Sequence, residues 1–161
     1  MTNYICINGK KTELTEEQLK QLGIEIPKAN PFNRVQKRMP FYYITNKSKV
    51  ELGVEHFDYH CNALYDGANY CTDKAIIEQR ALHEALHRLL WRYSMKHKGN
   101  RIDDKVWSIT YNGDTNTYRA GWVNYKVLFV AEIAFDTEEI AENAIKEIIE
   151  PFMEAHPDFK F

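Results

Sequence analysis

The sequence predicts an α+β domain: an antiparallel β-meander packed by a long central helix and a C-terminal helix, with a small N-terminal hairpin-helix unit. Three observations predict it. Apolar residues recur at three- and four-residue steps through residues 73–97, the period of a helix with one buried stripe. Apolar and polar residues alternate from Val106 to Tyr111 and return from Tyr118 to Val123, the period of half-buried strands. A second helical pattern follows Asp136.

Taken in order, Tyr4 to Ile7 is a short strand, Asn8-Gly9 a turn of the type I′ hairpin kind, and Lys11 to Leu14 the return strand. Thr15 and Gln18 fit a capping box at the start of a short helix whose apolar residues are Leu19 and Leu22, with Gly23 at its C′ position. These residues, 1–26, form the appendage, and residues 27–161 the main domain. Pro27, Pro31 and Pro40 exclude regular helix from the connector, and Asn30-Pro31 marks a turn. Phe41 to Ile44 reads as a strand, Asn46 to Ser48 as a turn, and Val50 to Val54 as the partner strand. Residues 55–71 hold aromatics, histidines and cysteines with no clean period. The long helix takes Thr72 as N-cap and stops at Gly99. Its stripe is Leu82, Leu86, Leu89, Leu90 and Tyr93, and Glu84 and Arg88 form an i,i+4 pair. Asn112 to Asp114 is a turn, and Val127 to Phe135 the third strand of the meander. Asp136 to Glu139 opens the last helix with acidic residues at its positive end. Ile140, Ala141, Ala144, Ile145 and Ile148 line its inner face, and Pro151 ends or kinks it.

The chain has 161 residues and a formal net charge of −2. Its length suffices to bury a core without metal or disulfide. The charge lacks the basic excess of a dedicated nucleic-acid binder. No run approaches the roughly 18 apolar residues of a membrane span, and the N-terminus carries no signal-peptide pattern. Three cysteines without a CxxC predict reduced thiols in a cytoplasm. No P-loop, GxGxxG, GxSxG or paired-Asp metal signature is present, and Ser48, Ser94 and Ser108 are the only serines.

His83-Glu84-Ala85-Leu86-His87 is a literal HExxH on the long helix. Histidines four apart project to one side and can share a zinc ion, and the Glu can then activate a bound water. As a zinc hydrolase the chain would use His83 and His87 as ligands and Glu84 as base. It would also need a third ligand, for which Glu132 and the C-terminal glutamates offer candidates without a distinguishing spacing. Against this, Arg80 and Arg88 flank the motif, and the leucine stripe places both histidines at the boundary of the buried face. His56, His60, Cys61 and Cys71 suit zinc by type but match no standard spacing. Buried cysteines acting as small apolar residues account for them as well. The favoured expectation is no cofactor and no catalytic residue, with zinc as the alternative.

Two charged segments offer contact surfaces. Arg88, Arg92, Lys96, His97, Lys98 and Arg101 make the end of the long helix basic, with Trp91 and Tyr93 interleaved. Such a set can hold phosphates and stack bases, and cations also belong at a helix C-terminus. The nucleic-acid-binding candidates are Arg88, Trp91, Arg92 and Lys96. In the last helix Glu138, Glu139, Glu142, Glu147, Glu150 and Glu154 are acidic, a solvated face or a surface for a basic groove. From it Glu142, Glu147 and Glu150 are the partner-binding candidates.

Several blocks resemble a known family. They are Asn30 to Val35 leading into Phe41 to Ile44; Asn69 to Lys74, Glu78 to Glu84 and Arg88 to Ser94; and Phe135 to Ala141 with Pro151 to Met153 and His156 to Phe159. The segment from Ile7-Asn8-Gly9-Lys10 to Leu22-Gly23 joins them. Together they resemble small accessory proteins from phages and prophages of Gram-positive bacteria. In that family the position matching His87 is often Asn, which breaks HExxH, and Phe135-Asp136 is often Tyr-Phe. The resemblance implies a cytoplasmic, non-catalytic protein in a host bacterial cell that binds a host protein or ribonucleoprotein. Inhibitors of host defence, including anti-CRISPR proteins, are one such class.

Overall fold

The computed structural model describes residues 4–7, 10–22, 30–99, 105–115, 117–124 and 133–160. Helices and antiparallel strands are both present, so the fold is α+β. The chain divides into two compact units, Met1–Asn33 and Arg34–Phe161.

In the first unit β1 (Tyr4–Ile7) pairs antiparallel with β2 (Lys10–Glu13). Ile7 faces Lys10 in the register, so two residues connect the strands. The predicted Asn8-Gly9 turn and the Gly23 cap lie outside the described residues. Helix α1 (Glu16–Gln21) opens with the expected capping box: the Gln18 amide donates to Thr15 Oγ1 at 3.3 Å, and the Thr15 amide donates to Gln18 Oε1 at 2.9 Å. The Asn30-Pro31 turn closes on Asn30, whose Oδ1 accepts the Phe32 amide at 3.0 Å.

The second unit starts with the hairpin of β3 (Pro40–Ile44) and β4 (Val50–Val54). The segment without a period forms helix α2 (Tyr59–Asp66), capped by Asp58. Its signal was weak because it is short and buries only Cys61. The central helix α3 (Lys74–Lys96) is capped by Asp73, not Thr72. Asp73 Oδ1 accepts the amides of Ala75 and Ile76 at 2.9 and 3.3 Å. A carboxylate there also meets the positive end of the helix dipole. The helix ends at Lys96 with His97 as C-cap, ahead of Gly99.

α3 runs through three apolar clusters. Ile77 and Ala81 pack with Ile44 and Cys71 of the first hairpin region. Leu86 packs with Ile149, Phe152 and Phe159. Tyr93 packs with Phe135, Ala141 and Ala144. The buried line is therefore Ile77, Ala81, Leu86 and Tyr93, with Leu82 and Leu90 beside it. Leu89, expected in the stripe, is exposed. A stripe read from leucines alone is displaced because Ile77 and Ala81 set its direction.

β5 (Lys105–Asn112) pairs antiparallel with β6 (Thr117–Asn124). Asn112 Oδ1 accepts the Asp114 amide at 3.0 Å in the connecting turn. Of the expected third strand, residues 127–132 lie outside the described residues. Its end, Phe135, forms an antiparallel bridge with Trp107 through two 2.8 Å backbone bonds. α4 (Glu138–Ala144) is capped by Thr137, and a π-helical turn (Ile145–Ile149) joins it to α5 (Glu150–Ala155). The widened turn precedes Pro151, whose ring would crowd the carbonyl four residues back in a regular α-helix. The helix thus continues past the proline, and its buried face steps from Ala141 and Ala144 to Ile149 and Phe152.

Candidate binding surface on the central helix

α3 holds the HExxH residues and the basic-aromatic set. It brings them to different environments. His83 Nε2 donates to the Lys160 carbonyl at 2.9 Å, and its ring lies edge-on to Phe159 at 4.7 Å. A nitrogen that donates a hydrogen has no lone pair for a metal there. The chain end is held on the same helix by Gln79: its Nε2 donates to the Asp158 carbonyl and its Oε1 accepts the Lys160 amide, both at 2.8 Å. Glu84 accepts from Arg80 at 2.9 Å and faces Arg88 at 3.6 Å. Arg80 also donates to the Ala68 carbonyl, and Arg88 to Ser48 Oγ.

His83, Glu84, Leu86, His87, Arg88 and Leu90 line an open groove of about 510 Å³. Among the described residues no group of three His, Cys, Asp or Glu side chains is placed to hold a metal ion. Glu132 lies outside the described residues. Cys61 and Cys71 are buried in different clusters, and each donates to a backbone carbonyl: Cys61 to Val54 at 3.6 Å and Cys71 to Asp73 at 3.3 Å. Burial pushes the Cys61 thiol above its ordinary pKa. His56 and His60 are exposed.

Beyond the motif, Arg88, Arg92 and Lys96 form one four-residue row, and Trp91 and Met95 form the adjacent one. Side chains four apart on a helix are neighbours. All five are exposed, Trp91 at 56% and Met95 at 47% of full exposure. Among the described residues neither Arg92 nor Lys96 has an ion-pair partner. Met95 escaped the sequence reading, although its spacing from Trp91 marks it. Tyr93 and His97 do not belong to this face: Tyr93 is in the core, and His97 stacks on it at 4.2 Å. Arg101 lies outside the described residues, and Lys98 is exposed.

In the acidic set Glu142 and Glu150 are exposed, and Glu150 lines a groove of about 450 Å³ with Glu154, Tyr118 and Met153. Glu147 is exposed as well, and its charge acts on the Tyr93 hydroxyl. Burial, then the Glu147 charge, raises the Tyr93 pKa.

One polar cluster gave no sequence signal. Glu55 is fully buried at the end of β4. Arg34 meets it with Nε and Nη2, each at 3.0 Å, and Arg34 Nη2 also donates to Asn62 Oδ1 at 2.7 Å. The Tyr70 hydroxyl and the Phe57 amide donate to the same carboxylate at 3.0 and 2.7 Å. Arg34 lies over the rings of Phe57 at 4.6 Å and Tyr65 at 5.3 Å. The bonds from Arg34, with those from Phe57 and Tyr70, hold Glu55 at a pKa of about 2 against the burial that opposes them. Burial drives Tyr70 up to about 12. The network ties the connector, β4, α2 and Tyr70 together, and the Glu55 carboxylate is satisfied from within.

Comparisons with protein families, with curated proteins and with solved structures return no match. The described residues include no helix long and apolar enough to cross a membrane.

Proposed function

We propose that this chain is a non-catalytic binding protein that occupies a host macromolecule, and that its partner is polyanionic: nucleic acid, free or carried by a ribonucleoprotein. The observation that carries this is the exposed α3 face, where Trp91 and Met95 lie beside Arg88, Arg92 and Lys96. Arg88 is shared with Glu84 and Ser48, but Arg92 and Lys96 meet no carboxylate among the described residues, and large apolar groups left in water beside such cations are what a phosphate-and-base surface requires. The HExxH carboxylate and His83, by contrast, are engaged within the protein. The resemblance to phage and prophage accessory proteins supports a host defence factor, such as a CRISPR effector, as the target.

The test is fluorescence anisotropy with single-stranded and duplex oligonucleotides across a salt series. Affinity should fall steeply with salt, and Arg92→Glu with Lys96→Glu should lower the salt slope by about two. Trp91→Ala should cost about 1 kcal/mol for a single strand. Glu142→Gln with Glu150→Gln should leave binding unweakened. Absence of binding at low salt would remove the proposal. Loss of partner capture only in the glutamate variant would shift the surface to the acidic helix.

A further inference from the structure

The two edges of the β3–β4 hairpin are treated differently. On the β3 side the outward groups of Tyr42 and Ile44 have partners, and one donor is missing. Tyr42 exchanges both backbone bonds with Cys71, at 2.7 and 3.0 Å. The Asn69 side chain serves Ile44 like a strand, accepting its amide at 2.7 Å and donating to its carbonyl at 2.6 Å. Pro40 has no amide hydrogen to offer.

On the β4 side the outward groups are those of Val50, Leu52 and Val54, of which the Val54 carbonyl accepts from Cys61 Sγ at 3.6 Å. Residues facing each other in an antiparallel pair turn their backbone groups either both inward or both outward. Leu52 faces Tyr42, whose groups turn outward to Cys71, so those of Leu52 turn outward as well. No backbone partner meets Leu52 among the described residues. Its side chain is 61% exposed and that of Val54 43%.

We propose that β4 pairs antiparallel with β4 of a second copy about a twofold axis at Leu52, making one four-stranded sheet across a homodimer. The occupant follows from the strand itself. Val50-Glu51-Leu52-Gly53-Val54 has the same apolar positions read in either direction. Centred on Leu52, the pairing sets Leu52 against Leu52, Val50 against Val54, and Glu51 against Gly53, which has no side chain to oppose it. Sliding by two residues one way sets Glu51 against Glu51, and like charges opposite each other destabilise a sheet. Sliding the other way shortens the overlap and sets Glu51 against Glu55. The edge joined in this way is otherwise an open template for pairing.

Sedimentation velocity over a concentration series tests this on the full chain. The unmodified protein should show a concentration-dependent monomer–dimer equilibrium. Leu52→Lys should be monomeric at the same concentrations, with an unchanged circular dichroism spectrum. Leu52→Cys should form an intermolecular disulfide on mild oxidation, because a hydrogen-bonded antiparallel pair places the two α-carbons about 5.5 Å apart, within disulfide reach. Lys47→Cys, in the turn, should not cross-link, and the unmodified chain oxidised in parallel accounts for the native cysteines. A monomer at all concentrations would overturn the proposal. So would a dimer that survives Leu52→Lys, or a dimer in which Leu52→Cys stays reduced.

Discussion

Two regions of this protein are built from the same residue types to opposite ends. Around Glu55, an arginine lies over two aromatic rings and donates from Nε and Nη2 to a buried carboxylate and an asparagine. On α3, Arg92 and Lys96 lie beside a tryptophan and a methionine in water, one turn on from Arg88, which is shared with Glu84. The first cluster closes on itself and holds the fold. The second leaves cations and apolar surface for a partner. An arginine-aromatic cluster therefore signals binding only where its charge is not already matched from within.

The largest expected effect breaks the first cluster. Glu55→Gln removes the buried charge of a pair whose arginine keeps some contact with water, which costs about 2 kcal/mol. Urea denaturation should show that loss, and a neutral result would make the network dispensable.

Acid sharpens the same contrast. The Glu55 carboxyl sits at about 2 when folded and near 4.5 when unfolded. A carboxyl lowered by folding stabilises above its unfolded pKa and loses that contribution as pH falls through the folded value. Stability should therefore drop between pH 4.5 and pH 2, and Glu55→Gln should flatten that part of the profile. An unchanged profile in the variant would assign acid sensitivity to other carboxylates.

The smallest expected effect lies on α3. Arg92→Glu with Lys96→Glu should change stability by no more than about 0.5 kcal/mol, as for surface substitutions without internal partners. Thermal denaturation would detect a larger loss, which would mean that these cations serve the fold and not a partner.

Local elements were legible where their causes are local. The Thr15–Gln18 capping box, both hairpins of the described second unit and the α3 helix follow from spacing and turn residues. The choice of Asp73 over Thr72 as cap was not legible, since both types cap helices and the backbone decides which reaches the free amides. The widened turn before Pro151 was legible only as a break, because whether a proline ends a helix depends on what the next turn buries. Here Phe152 packs with Leu86 and Phe159, and the helix continues.

For the candidate site, sequence by itself determined which side chains share the α3 helix and at what spacing. Helical period is a local property, so Arg88, Arg92 and Lys96 had to fall in one row. Only the tertiary structure decided that this row is exposed and that His83 meets Lys160. The Glu55 network was invisible for the same reason. Its members, Arg34, Glu55, Asn62 and Tyr70, are dispersed along the chain without a period, and a carboxylate becomes buried and paired only when long-range packing brings its partners to it.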